Sequence, residues 1–382
     1  MQQLIESDKT QKQEAQILLE RFNRVRKRTE QLCAPLTTED YLPQPAVFVS
    51  PAKWHIAHTT WFFENFILEP NKADYRVFDT QFCYLFNSYY QQVGERLARD
   101  KRGTLTRPSV EEIWEYRGYV EEHVRELLGG KPAKEVLRLT ELGLQHEEQH
   151  QELLITDLKY ILAQNPIGPV YQKGFSLVNH VEAVKSPVYL EEGIYDIGYR
   201  GKEFCFDNEL AAHRVFLEKV EIDSNLVRNG EFIEFIEAGG YDDPKFWLDD
   251  GWCYMGEQGL KQPLYWKKEA GVWMQFSLEG WINVNPEAVL THINYYEAQA
   301  FALWKGKRLL TEFEWEAASG QFTWGSHWEW TLSAYLPYPG YEIPKGAVGE
   351  YNGKFMVNQM VLRGASKATA PGHSRNTYRN FF

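Results

Sequence analysis

His146 and His150 lie four residues apart in the stretch ELGLQHEEQHQE, so on a helix they sit about one turn from each other on one face. Two imidazoles so placed can bind one metal ion. The stretch also matches H-E-x-x-H, in which a zinc peptidase uses the intervening glutamate, here Glu147, as its base. A peptidase needs a third ligand further along its framework, however, and HQELLITDLKY lacks the x-x-G-x-x-H extension. Glu148 also places a charge where a peptidase helix is normally apolar. Leu142, Leu144, Leu153 and Leu154 bracket the pair, as expected of a buried helix face, where histidine needs a partner.

The competing third ligand lies in WHIAHTTWFFE. His55 and His58 are three residues apart and do not both face one point equally well; His58, with Ala57 before it and Trp61 and Phe62 after it, is the better inward candidate. Three neutral imidazoles leave coordination positions open. That suits a non-haem iron that must hold oxygen and a substrate together, by analogy with facial-triad sites. Gln149 and Glu152 are candidates to orient an imidazole N–H or a metal-bound water.

Helices must position these side chains. Leu18, Phe22 and Val25 recur at helical spacing in a charged background and predict an amphipathic first helix. A second opens at SPAKWHIAH, with Ser50 as N-cap and Pro51 at its first position. A third runs from about Pro108 to Gly129-Gly130, and a fourth, KEVLRLTELGLQHEEQHQELLITDLKYILAQ, stops before Asn165-Pro166. Four such helices suggest a four-helix bundle with an inward-facing metal site. The Tyr- and Phe-rich segment from about 69 to 107 is expected to be functional or folded on itself. Around NPIGPVYQKG the character changes. Short β-like runs (VYLEEGIYDIGY, HRVFLEKVEID, VWMQFSL) alternate with short helices (NGEFIEFIEAGG, NYYEAQAFALWKG, RLLTEFEWEAAS), which predicts a loop-rich mixed domain.

Composition narrows the partners. The net charge of −12 argues against nucleic acid, and no apolar run is long enough to cross a membrane. The polar N-terminus MQQLIESDKTQKQEAQ lacks a secretory pattern, and Cys33, Cys83, Cys205 and Cys253 form no C-x-x-C pair. A cytoplasmic protein with reduced thiols is expected. Aromatic residues make up 15% of the chain; most are expected to build cores, and some rings can line a cavity for a quaternary ammonium ligand.

Taken together, A-H in the second helix, H-E-x-Q-H-Q-E in the fourth, FDNELAAHRV, GGYDDPKFWLDDGW, YYEAQAFALWKGKRLLTEFEWEAA, WEWTLSAY, YNGKFMV and VLRGASKATAPGHSRNTYRNFF resemble the ergothioneine-biosynthesis sulfoxide synthases. The resemblance runs from about residue 10 to the last residue. It implies an α+β multidomain fold: a DinB-like four-helix bundle over residues 1–170 carrying the iron, and a formylglycine-generating-enzyme-like C-type-lectin domain over 171–382 forming a substrate wall. It implies Fe(II) on His58, His146 and His150, and an O2-dependent joining of the sulfur of cysteine or γ-glutamylcysteine to hercynine (Nα-trimethylhistidine), leaving a sulfoxide. The active site is expected where the two domains meet.

No cysteine follows Cys253, which argues against formylglycine chemistry, a reaction that works through C-terminal cysteines. The chain stops at Phe382 with no room for the methyltransferase often appended to the ovothiol-type 5-histidylcysteine sulfoxide synthases, and this favours the ergothioneine reaction over that alternative. Two further alternatives are a zinc peptidase and an idle bundle-plus-lectin module that binds a betaine-like ligand without consuming oxygen. In YLFNSYYQQVG, Tyr89 and Tyr90 resemble the paired tyrosines of the cysteine-using branch, one of which would donate a proton near the iron. Arg99 and Arg102 are candidates for the carboxylate of the thiol substrate. Gln149, Trp328, Trp330, Arg375, Asn376, Tyr378, Arg379, Asn380 and Phe381 are candidate substrate contacts, aromatic faces for the trimethylammonium group and Arg or Asn for a carboxylate.

Overall fold

A computed structural model describes residues 2–88, 90, 92, 94–175, 186–346, 349 and 352–382, with residues 2–10 described by backbone alone. The chain divides into two compact units. The first is Met1–Ile167 with Gly346–Val348 and Ala368–His373, and the second takes the remainder from Gly168 onward.

The first unit is helical. Helix α1 (Gln2–Cys33) buries Ala15, Leu18, Phe22 and Val25, whose spacing of three, four and three residues draws one apolar stripe along it. Helix α2 (Ala52–Phe63) is buried on every side. It starts one residue later than the sequence suggests. Pro51, with extended backbone, occupies the N-cap position, and the N–H of Ser50 instead donates to Asp157 Oδ2 (2.8 Å). Helix α3 (Val110–Gly129) opens with a capping box in which Glu112 N–H donates to Ser109 Oγ and Ser109 N–H to Glu112. Helix α4 (Lys134–Ala163) follows, and α1 and α2 each pack against both α3 and α4. Within the segment from 69 to 107 the chain forms a short helix at Phe82–Phe86 and a 3-10 turn at Arg99–Thr104.

One glycine lets α2 and α4 approach. A Cβ on Gly143 would meet ring carbons of Phe62 and of Phe63 at 3.0 Å, closer than aliphatic carbon normally comes to a ring. Gly143 lies one turn before His146, so this approach sets the depth at which that imidazole meets α2.

The second unit holds small antiparallel sheets. Strand β1 (Val188–Leu190) pairs with β4 (Val220–Ile222), and β2 (Gly193–Ile197) with β3 (His213–Leu217). Then come α5 (Asn229–Glu237), α6 (Asp249–Gln258), a three-stranded sheet β5 (Trp266–Glu269), β6 (Val272–Ser277), β7 (Gly280–Asn283), and helices α7 (Tyr295–Trp304) and α8 (Glu312–Ala318). Strands β8 (Trp328–Ala334), β9 (Met360–Gly364) and β10 (Asn380–Phe381) form a last sheet in the order β10-β9-β8. Helix α6 was not expected from DDGWCYMGEQ, because its two glycines weaken helix propensity. Packing overrides them: Gly251 lies so close to the Tyr296 ring that a Cβ would meet it at 2.6 Å. The aromatic core of this unit gathers Phe232, Phe235, Tyr241, Trp247, Trp266 and Phe301.

Candidate metal centre

Helices α2 and α4 bring three imidazoles together. One ring nitrogen from each of His58, His146 and His150 lies within 4.8 Å of the others, and the ring centroids stand 4.6–4.9 Å apart at steep angles. The group contains no carboxylate. His58 and His146 are buried and His150 is half-buried. Burial comes first among the causes that push His146 down to about 4 and hold His58 and His150 well below the ordinary imidazole range, with neighbouring histidines adding to it for all three. The rings are therefore neutral near pH 7, the form that ligates a metal.

The polar atoms around the cluster show which nitrogen is available. His58 Nδ1 lies 2.6 Å from the carbonyl oxygen of Phe86, an acceptor, so Nδ1 carries the hydrogen and Nε2 the lone pair. Among the described residues that buried Nε2 has no hydrogen-bond partner. A buried polar atom left unsatisfied is costly, and a metal ion would satisfy it. Imidazole donors suit iron, zinc, copper and nickel alike, so the residues present fit a bound metal ion.

Aromatic stacking fixes the His58 ring. Trp54 stacks on it at 4.5 Å and Trp61 at 5.6 Å, each 14° from parallel. Trp54, His58 and Trp61 are spaced four and three residues apart along α2, one face of the helix. The Arg102 guanidinium lies 3.4 Å over the Trp54 ring and donates to Ser50 Oγ and Ser88 Oγ. Tyr90, buried, packs against Trp61 at 5.6 Å and Phe66 at 5.1 Å. Tyr89 lies outside the described residues.

Glu147 does not take a peptidase role. Its carboxylate accepts from Thr29 (2.6 Å), Arg117 (2.8 Å) and Arg26 (2.8 Å), and Glu121 completes the set of two arginines and two glutamates. Burial alone would raise the pKa of Glu147, but Arg117 and Arg26 outweigh it and hold the carboxyl at about 2. A carboxylate locked between two guanidiniums is not available as a base, which removes the residue that a zinc peptidase would need.

The remaining candidates lie in varied surroundings. Arg99 donates to the carbonyl of Phe48 in an exposed position, Gln149 is half-buried, and Glu152 accepts from Thr369 Oγ1 (2.6 Å). In the second unit Arg375 binds Glu209 (2.7 Å), and Arg379 binds Glu312 (2.8 Å) and lies 3.9 Å over the Tyr338 ring. Asn376 reaches Ser319, Tyr378 packs against Phe206 and Trp328, and Trp330 donates to the carbonyl of Ile293. Asn380 and Phe381 form β10, with the Phe381 ring stacked on Tyr335 at 4.2 Å.

Two polar residues stand beside the cluster: His55, which the sequence offers as the weaker inward candidate, and Asp157, which was not read from the sequence. His55 Nδ1 lies 2.9 Å from His150 Nδ1, and His55 Nε2 lies 2.9 Å from Asp157 Oδ2. Asp157 stands seven residues beyond His150, two turns along the same face of α4, and that spacing was the available signal.

Residues 21–154 match the DinB superfamily, and residues 175–327 match the sulfatase-modifying factor enzyme 1-like domain. The hercynine oxygenase of Mycolicibacterium smegmatis is 29% identical over 294 residues, 63% of this chain and 67% of that protein. The hercynine oxygenase of Mycolicibacterium thermoresistibile is 27% identical over 289 residues, 62% of this chain and 63% of that protein. The chain is similar to hercynine oxygenases over about 60% of its length. The formylglycine-generating enzyme of Bos taurus is 25% identical over 157 residues, 36% of this chain and 42% of that protein. A hercynine-oxygenase-like chain is an oxygenase-type enzyme, and its histidine triad can hold a metal. The expected pairing of a DinB-like helical domain with a formylglycine-generating-enzyme-like domain is borne out. Among the described residues no helix is long and apolar enough to cross a membrane.

Proposed function

We propose that this chain is a non-haem iron(II) sulfoxide synthase that uses O2 to join the sulfur of cysteine or γ-glutamylcysteine to the imidazole of hercynine. One observation carries the reading. Three neutral imidazoles from α2 and α4 converge within 4.8 Å, on a chain related to hercynine oxygenases. In the reaction the thiol loses S–H, the imidazole loses C–H, and a C–S bond forms. One oxygen atom of O2 ends on sulfur and the other leaves as water, so no further reductant is needed.

His58, His146 and His150 are the proposed ligands, and iron(II) bound there would supply the one-electron chemistry that O2 requires. Trp54, Trp61 and Phe62 keep water from the imidazoles, since their rings pack directly on them. The phenol of Tyr89 or Tyr90 is the proposed proton donor; the packing of Tyr90 on Trp61, itself stacked on His58, supports the second. Arg102 is the better candidate for the carboxylate of the thiol substrate, because its charge lies over Trp54 beside the cluster. Arg375 and Arg379 are already neutralised by Glu209 and Glu312, so the ring faces of Trp328 and Tyr378 are stronger candidates for the trimethylammonium group. A cytoplasmic setting belongs to the proposal, since the cysteines form no disulfides and the substrate is a thiol.

The test loads the protein with iron(II) without oxygen, adds hercynine with either thiol, admits air, and analyses the products by mass spectrometry. The expected product is the mixed sulfoxide with at least one thiol, with oxygen uptake that needs both substrates. Oxygen uptake indifferent to hercynine, or no sulfoxide with either thiol, would refute the reading.

A further inference from the structure

We infer that His55 and Asp157 form a hydrogen-bond relay that dictates which nitrogen of His150 faces the ion; this rests on the metal reading above. The chain of contacts is Asp157 Oδ2 to His55 Nε2 at 2.9 Å, then His55 Nδ1 to His150 Nδ1 at 2.9 Å. An ionised carboxylate only accepts, so the hydrogen of the first bond sits on His55 Nε2. A neutral His55 then offers only a lone pair at Nδ1, so the hydrogen of the second bond sits on His150 Nδ1. That leaves the lone pair of His150 at Nε2, as a ligand. The reverse order would place a hydrogen on His150 Nε2 and would make His55 an imidazolium beside a divalent cation, which charge repulsion in a buried site opposes.

The relay is anchored at Asp157. Asp157 Oδ2 also accepts the N–H of Ser50 (2.8 Å), just before α2, and Ser50 Oγ accepts from Arg102 (2.9 Å). His55 itself is buried on α2, one turn before His58. One helix thus supplies a proposed ligand, His58, and the group that orients another, His150. A histidine ligand backed by a carboxylate is a familiar arrangement that fixes the ring and raises its basicity. Here a second imidazole stands between the two. The backing differs between ligands: His58 donates to a neutral carbonyl, whereas His150 is backed through His55 by a full negative charge. His150 is therefore the stronger donor of the two. His55 and Asp157 are positioning residues.

The test compares wild-type protein with His55→Phe, His55→Gln and Asp157→Asn, each loaded with cobalt(II). The readouts are affinity, by competition with a chelator, and the visible cobalt spectrum, which reports ligand number and geometry. His55→Phe should weaken binding roughly 10–100-fold and shift the spectrum. His55→Gln should recover most of the loss, because its amide can accept from His150 and donate to Asp157. Asp157→Asn should fall between them, since it keeps an acceptor oxygen and loses the charge. Nitrogen-15 NMR of histidine-labelled, zinc-loaded wild-type protein supplies a measurement that does not depend on a variant folding: His55 should carry its hydrogen on Nε2 and His150 on Nδ1. Wild type that binds cobalt while His55→Phe matches it in affinity and spectrum would overturn the relay alone, as would a hydrogen on Nε2 of His150. Wild type that takes up no ion would overturn the metal reading and the relay with it.

Discussion

His146 and Glu147 are neighbours in sequence, and α4 turns them to different sides with opposite outcomes. Around Glu147 both carboxylate oxygens are satisfied, by Thr29, Arg117 and Arg26, and the charges of the four-member cluster sum to zero. On the side of His146 three imidazoles face one another with no carboxylate among them, and His58 Nε2 lacks a hydrogen-bond partner among the described residues. Both regions are buried; around Glu147 every charge has an opposite partner, whereas the imidazole group holds a lone pair that meets no donor among the described residues. A charge-balanced buried cluster is read as support for the fold, and converging imidazoles with an unused lone pair as a site for a ligand. Glu147 looks catalytic from its motif and is structural by its contacts.

That contrast can be broken in four places. The largest effect is expected at the ligands: His58→Ala, His146→Ala and His150→Ala should each weaken metal binding by more than the roughly 10–100-fold of a change behind a ligand. The proteins should remain folded, since each change removes a buried polar ring and no ion pair; metal titration and circular dichroism check the two halves of this claim. Next, Glu147→Gln should cost about 3–5 kcal/mol of stability, because it leaves two buried guanidiniums facing one carboxylate. Denaturant unfolding measures it, and a cost below about 1 kcal/mol would erase the distinction drawn above.

A smaller effect is expected at Gly143→Ala. Wedging a methyl group against Phe62 and Phe63 costs about 1–3 kcal/mol of overpacking, against about 1 kcal/mol gained in helix propensity. Metal affinity should fall modestly as α4 is pushed from α2. The gentlest test is pH on metal-free protein. His146 is pushed down to about 4, so the unfolded chain binds the extra proton first as pH falls, and stability present above about 6.5 is lost from there down to about 4. Glu147 is held at about 2, so its contribution is intact above about 4.5 and is lost below that, towards pH 2. Thermal unfolding from pH 7 to 3 should therefore weaken first through the imidazole face and later through the carboxylate. A bound metal ion should protect against the first loss, since it competes with the proton.

Much of the helical unit was legible. The stripe of Leu18, Phe22 and Val25, the start near Pro108 and the long run ending near Gln164 are all local patterns that a helix must satisfy. The sheets were less so. WKKE and GWIN form β5 and β7 through pairing with β6, and four-residue segments carry too little alternation to announce themselves. The Trp54–His58–Trp61 stack was visible as a spacing, but its meaning depended on which face of α2 turned inward.

The sequence by itself determined that His146 and His150 share a helix face, because a fixed rise and turn per residue leave no choice over one turn. Only the tertiary structure decided what those rings meet. Whether His55 or His58 points at them depends on how α2 lies against α4, and the carboxylate behind His55 comes from Asp157, 102 residues away. Glu147 likewise found its arginines on α1 and α3. Local geometry fixes which side chains travel together, while partners distant in the chain are chosen by the packing of whole helices, a property that no short stretch of residues carries.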